Sequence, residues 1–175
     1  RSALRSASNA LEVEKPSTRV VLDEATRGEP GSPNIPATIL DKIRTADAFV
    51  CDITTINQAA PHELRRTPNP NVAFELGYAV SQLGWARIIM IFNEEYGSVK
   101  EAPFDIDRHR VQPYRLSLAE KKNKGLQESL SAALSRGLTA IADRRPPKPG
   151  KRKDASAAEV RRQRDLTNLK WVLSN

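Results

Sequence analysis

The stretch that decides the fold is residues 69–84, which read NPNVAFELGYAVSQLG. Asn69 is a good N-cap, Pro70 suits the first position of a helix, and Gly84 permits the left-handed conformation that ends many helices. Between these ends, apolar residues recur at intervals of three and four, as in a helix that packs on a sheet. The stretch therefore predicts one complete helix with one apolar face.

A single carboxylate, Glu75, falls at the edge of this apolar face, between Phe74 and Leu76. Asn71 lies one turn earlier on the same side, so both side chains can reach one ligand near the start of the helix. That end of a helix carries a partial positive charge and free N–H groups, which suit an anionic or sugar-phosphate ligand. The alternative is a surface carboxylate, or the partner of a nearby Arg. Glu75 and Asn71 are the first candidate site residues.

Strand-like and helix-like stretches alternate along the first 143 residues. Strands are predicted at 18–23, 47–53, 87–92 and 111–116, and helices at 2–12, 35–46, 69–84 and 125–143. This alternation predicts an α/β fold with a doubly wound, mostly parallel sheet flanked by helices. Pro113 favours an edge position for the last of these strands. Because the chain opens on a helix, whereas a doubly wound domain opens with a strand, a first strand is expected to be missing or to lie upstream.

Ligands of such folds bind beyond the carboxyl ends of the strands. Long loops follow the first three predicted strands at that edge, and the helix that carries Glu75 begins there. Asp23 and Asp52 close two of these strands, and each can either cap the following loop or contact a ligand. Arg27, in the first loop, can pair with a diphosphate or stay solvated. Asp23, Asp52 and Arg27 are therefore added to the candidate substrate-binding residues.

Most of the net charge of +7 lies in one segment. Between Asp143 and Asp165 there are nine Lys or Arg and four Asp or Glu, a net +5. The segment has no interleaved aromatic residues, which favours a solvated linker over a nucleic-acid-binding arm. We divide the chain into an α/β domain (1–143), a basic, proline-rich linker (144–154) and an amphipathic helix (155–175), interpreted as the start of a further domain.

Several classes of protein are disfavoured by the composition. The only cysteine, Cys51, lies inside an apolar run, so no disulfide framework is predicted. His62 and His109 are far apart and have no cluster of ligands at metal-binding spacing, so no metal site is predicted. The sequence contains neither a signal-peptide pattern nor an apolar run of membrane-spanning length. We expect a cytoplasmic protein without membrane contact and, since the chain starts at Arg1, a fragment.

Residues 69–79, NPNVAFELGYA, together with the strand that ends at Asp52 and the run RIIMI at 87–91, resemble the TIR-like nucleotide-binding domains of bacterial anti-phage effectors. The run PFD at 103–105, with Arg108 and Arg110 ahead of Tyr114, is similar to the later part of such domains. The resemblance covers about residues 1–143, and FELGYA at 74–79 is its most specific piece.

This resemblance implies an α/β, flavodoxin-like fold and an NAD glycohydrolase that cleaves the nicotinamide–ribose bond, with NAD as the substrate and no cofactor. It implies that Glu75 is the essential carboxylate. It also implies self-association, because the loop at 24–34 corresponds to the loop that TIR domains use for assembly and for closing over the ligand. Some catalytic TIR domains have Trp four residues before the glutamate, and this chain has Asn71 there.

The chemistry of NAD is compatible with a single carboxylate. Nicotinamide in NAD is already a pyridinium and leaves as a neutral molecule, so only the oxocarbenium-like ribose needs stabilisation. Two alternatives remain open. Nucleoside deoxyribosyltransferases share a similar helix, whose glutamate attacks the sugar; here Asp52 or Asp23 would assist Glu75. The other alternative is a non-catalytic TIR-like module that assembles or senses a nucleotide, with Glu75 structural.

Overall fold

The computed structural model describes residues 1–24, 34–57, 66–103, 106, 108–117, 119–120, 123–144 and 168–173. The helices are α1 (Ser2–Glu14), α2 (Ile35–Thr45), α3 (Pro70–Leu83) and α4 (Lys124–Asp143). The strands are β1 (Arg19–Glu24), β2 (Ala48–Asp52), β3 (Ile88–Asn93), β4 (Val111–Tyr114) and β5 (Asn168–Leu173). Within the described ranges, no helix combines the length and hydropathy needed to cross a bilayer.

The five strands form one parallel sheet in the order β1-β5-β2-β3-β4. The predicted α/β class, with helices on both faces of a parallel sheet, is confirmed. Side chains alternate across β2, so Val50 belongs to the core that α1 and α4 cover, whereas Phe49 and Cys51 belong to the core under α2 and α3. Burial on both faces explains why β2 and β3 read as continuous apolar runs. The strand β4, which contains Pro113, lies at an edge as predicted.

The last strand, β5, differs from the prediction. The predicted helix over 155–175 is wrong at 168–173, and residues 155–167 and 174–175 lie outside the described residues. A short apolar run is compatible with the period of a helix and with that of a strand. Here the run forms a strand, because β5 pairs with β1 on one side and with β2 on the other and so satisfies backbone N–H and C=O groups of both. In the flavodoxin-like order 2-1-3-4-5, the first strand lies between the second and third. β5 takes that position, so a segment near the end of the chain completes the middle of the sheet.

Candidate functional site

The helix α3 has the ends that the sequence predicts. The Asn69 side chain accepts a hydrogen bond from the Asn71 backbone N–H (2.9 Å), and Pro70 is the first helical residue. The helix ends at Leu83, and Gly84 adopts a φ of +73°, which favours glycine. Because α3 follows β2 and runs back along the sheet, its first turns lie at the carboxyl edge of the strands.

Glu75 is more deeply buried than its place at the edge of the apolar face suggested. Only 7% of the residue is exposed, and its helix neighbours Val72 and Leu76 belong to the core under α3. A buried carboxylate costs free energy unless its surroundings compensate it, so such a group at a sheet edge is a functional candidate.

Two acidic side chains influence the cysteine on β2. Burial, followed by the negative charges of Asp52 and Glu75, raises the pKa of the Cys51 thiol far above its ordinary range. Both carboxylates therefore act electrostatically on one buried sulfur atom at the end of β2. Cys51 is a buried free thiol, and its raised pKa makes it a poor nucleophile.

Asp52 is held by hydrogen bonds from two directions. Its Oδ1 accepts from the backbone N–H of Thr54 (3.0 Å) and from the Thr54 hydroxyl, and its Oδ2 accepts from the Tyr114 hydroxyl (2.7 Å). Asp52 therefore fixes the turn after β2 and ties it to the end of β4. Of the two roles left open by the sequence, the loop-capping role is the one these contacts support.

Asn93, at the end of β3, continues the same network. Its backbone N–H donates to Thr54 Oγ1 (2.8 Å), and its side-chain amide donates to the Leu116 carbonyl (2.7 Å). Its Oδ1 accepts from the backbone N–H groups of Leu116 (3.0 Å) and Glu95 (3.2 Å). Asn93 is 5% exposed and joins three loops at the carboxyl edge. Sequence reasoning missed this residue, although a polar side chain at the end of a buried apolar run was a usable signal.

The hydrogen bond between Tyr114 and Asp52 has a measurable consequence at high pH. Burial, together with the charge of Asp52 and the hydrogen bond to it, raises the pKa of Tyr114 well above the ordinary value of 10.0. Above about pH 10 the unfolded chain loses this phenol proton while the folded protein keeps it, so the free energy of unfolding falls as pH rises. We expect the ultraviolet absorbance of the folded protein to show a tyrosine ionisation well above pH 10, the ordinary value.

The matched variant for this prediction is Tyr114→Phe. It removes the late-ionising group and weakens the alkaline loss of stability, which is measured by urea unfolding at a series of pH values. If Tyr114→Phe left the alkaline ionisation of the folded protein unchanged, the proposed role of Asp52 as the partner of Tyr114 would be wrong.

Asp23 also has a structural partner. Its Oδ1 lies 2.9 Å from Nζ of Lys42, and the two side chains are only 17% and 8% exposed, respectively. The ion pair joins the end of β1 to α2, and both side chains are largely shielded from solvent. Sequence reasoning left Asp23 between a loop-capping role and a ligand contact, and it gave no indication that Lys42 would be buried.

Asn71 and Arg27 are the two remaining candidate residues. The Asn71 side chain is exposed on the first turn of α3, one turn before Glu75, while its backbone N–H is used by the Asn69 cap. Arg27 and most of its loop lie outside the described residues.

The described ends of the loop between β2 and α3 are anchored. Thr55 and Pro68 form an isolated antiparallel bridge, and the Ile56 N–H donates to the Thr67 carbonyl (3.0 Å). Arg66 pairs with Glu101 at 3.1 Å, which connects this loop to the turn after β3. Loops from β2 and β3 are thus joined to each other beside the start of α3.

No cluster of three or more metal-ligating side chains occurs within the described part of the chain. Comparisons with protein-family models, with curated proteins and with solved structures found no match to this chain. The candidate site is therefore defined by its own geometry: a buried carboxylate on α3, next to a hydrogen-bonded network that holds the carboxyl edge of a parallel sheet.

Proposed function

We propose that this chain is a TIR-like domain that hydrolyses NAD at the nicotinamide–ribose bond, with Glu75 as the catalytic carboxylate. The observation that carries the proposal is the burial of Glu75 on the first turns of α3, at the edge where parallel sheets bind ligands. The resemblance of FELGYA at 74–79 to TIR-like domains supports the same assignment.

The roles of the neighbouring carboxylates favour this reaction over deoxyribosyl transfer. Asp52 is hydrogen-bonded by Thr54 and Tyr114, and Asp23 is paired with Lys42. Base transfer from an ordinary nucleoside needs a proton on the leaving base and thus a second acid. Cleavage of NAD needs none, which fits a site in which the side chains of Asp52 and Asp23 are held by structural contacts.

In the proposed reaction, the bond between ribose C1′ and the pyridinium nitrogen breaks, and its electron pair goes to that nitrogen. The ionised carboxylate of Glu75 stabilises the positive charge that develops on the ribose. Water then forms a bond to C1′ and releases one proton, which gives ADP-ribose. Asn71, exposed one turn earlier, is proposed to contact the ribose or the diphosphate.

The proposal is tested by incubating the protein with NAD and quantifying free nicotinamide. Nicotinamide and ADP-ribose should appear in equal amounts. A parallel incubation with a deoxyribonucleoside and free adenine tests the rival reaction. Base exchange without nicotinamide release would replace the proposed function by deoxyribosyl transfer, and inactivity in both assays at every protein concentration would favour the non-catalytic module.

We also propose that copies of this domain self-associate at the carboxyl edge of the sheet. Three large apolar residues at this edge are well exposed: Ile35 (49%) at the start of α2, Ile56 (59%) after β2, and Phe74 (62%) on α3. Their common location fits a contact with a second copy. A cytoplasmic location belongs to the same proposal, because NAD is available there.

Self-association predicts that specific NAD-cleaving activity rises with protein concentration. Phe74→Ser should weaken association, measured by sedimentation velocity, because it removes exposed apolar area from the contact. Val13→Ser is the matched control, since Val13 is 82% exposed on α1. Equal association of the wild type and Phe74→Ser would place the contact elsewhere.

A further inference from the structure

A concave site lies at the edge of the sheet opposite to Glu75, between α4 and the starts of β3 and β4. This cavity, here called the amino-edge groove, has a volume of about 270 Å³. Small residues of α4 open it: Ala133, Gly137 and Ala140 line its wall, and Ile89 and Met90 of β3 line its floor. A Cβ atom on Gly137 would lie 2.9 Å from Cδ1 of Ile89, so helix and strand approach closely here.

The groove is strongly basic. Arg110, Arg136 and Arg144 line it, and no Asp or Glu is among its described lining residues. All three arginines are exposed, and the hydrogen bonds and ion pairs of the described residues include none from their side chains. Three guanidinium groups around one cavity repel one another, and a phosphate group would neutralise them through charge-assisted, often bidentate, hydrogen bonds.

One end of the groove is aromatic. Trp85 lines it and stacks on His109, with ring centroids 3.5 Å apart and ring planes 17° from parallel. This stack joins the turn before β3 to the loop before β4, and Arg110, which follows His109, lines the same groove as Trp85. Trp85 is still 36% exposed, so indole surface is available to a second planar group.

We propose that the amino-edge groove binds a nucleoside diphosphate at a site separate from the Glu75 site. The phosphates contact Arg110, Arg136 and Arg144, and the base packs against Trp85. The volume lies just below the range of about 300–1,000 Å³ that is usual for ligand pockets, which favours a mononucleotide over a dinucleotide such as NAD. Gln112, which also lines the groove, offers a polar contact for the ribose or base.

The test is calorimetric titration of the full chain with ADP, adenosine and inorganic pyrophosphate. We expect ADP to bind at least about tenfold more tightly than either fragment, because it uses both the arginines and the indole. Pyrophosphate binding as tight as that of ADP would reduce the groove to a simple anion site and overturn the nucleoside assignment. Absence of ADP binding at millimolar concentration would overturn the proposal entirely.

Variants locate the binding. The double variant R136Q/R144Q should weaken ADP binding about 100-fold, at roughly tenfold per charge-assisted contact. Ala140→Leu should block the groove without changing any charge. The matched control R19Q/R115Q removes the same charge from exposed positions outside the groove and should bind ADP like the wild type. Equal weakening by both double variants would mean that ADP binds through net charge alone.

These outcomes are separable from the fate of the proposed NAD hydrolysis, because the readout is ADP binding. Ala140→Leu is expected to release nicotinamide from NAD at the wild-type rate, and Glu75→Gln is expected to keep the groove's affinity for ADP. Ala140 is exposed, so the variant is expected to fold, and thermal unfolding is the measurement that checks this. If a folded Ala140→Leu protein bound ADP normally, the groove would not be the site.

Discussion

Glu75→Gln is expected to lower the rate of nicotinamide release from NAD by about 100-fold or more. The amide has nearly the shape of the carboxylate but carries no charge, so it cannot stabilise the positive charge that develops on the ribose. Since the residue is 7% exposed within the core under α3, an isosteric replacement preserves the packing. The measurement is the initial rate of nicotinamide release at saturating NAD, with unfolding followed by circular dichroism.

The control for this variant is Glu128→Gln, the same chemical change at an exposed position on α4. It should keep wild-type activity and stability. If the Glu75→Gln protein retained full activity, Glu75 would not be the catalytic carboxylate. Alternatively, a protein that lost its cooperative unfolding transition would assign Glu75 a structural role, as in the non-catalytic alternative. Glu75→Ala removes both the charge and the shape of the side chain, so its comparison with Glu75→Gln separates the two contributions.

Lys42→Met is expected to lower the free energy of unfolding by about 3 kcal/mol. The substitution keeps most of the buried side-chain stem but removes the ammonium group that lies 2.9 Å from Asp23. Asp23, with only 17% of its side chain exposed, would then keep a negative charge without this partner. We place the loss at the lower end of the usual range, about 3–5 kcal/mol, because Asp23 retains some contact with water. The measurement is urea unfolding at neutral pH.

Removing both charges tests the cause of this loss. The double variant Asp23→Leu with Lys42→Met should recover much of the lost stability, because it removes both charges of the ion pair. Lys124→Met, at an exposed position, should change stability by no more than about 0.5 kcal/mol. If the double variant folds and still cleaves NAD, Asp23 is a structural residue. Loss of cleavage in a stable double variant would restore Asp23 to the substrate site.

Much of the fold could be predicted because the relevant signals are local. The apolar runs of β2 and β3 follow from burial on both sheet faces, and the ends of α3 follow from the side chain of Asn69 and the conformational freedom of Gly84. The candidate carboxylate was also visible locally, since Glu75 interrupts an apolar helix face.

Other parts of the site depend on contacts between residues far apart in the chain. Tyr114 reaches Asp52 across 62 residues, the Asn93 side chain reaches Leu116 across 23, and Lys42 reaches Asp23 across 19. The local sequence around Tyr114, Leu116 or Lys42 contains no signal that identifies it as such a partner. Sequence reasoning therefore left Asp52 and Asp23 between two roles, which only their hydrogen-bonding partners could separate.

The sequence by itself determined the alternation of strands and helices, the limits of α3 and the presence of one acidic group on its apolar side. These features arise from backbone preferences and side-chain periodicity within a few residues. Only the tertiary structure decided that β5 lies between β1 and β2, that Asp52 and Asp23 are held by Tyr114 and Lys42, and that three arginines surround one groove. The reason is that strand order and side-chain pairing depend on contacts between segments far apart in the chain. The sequence of one segment does not specify which other segment packs against it.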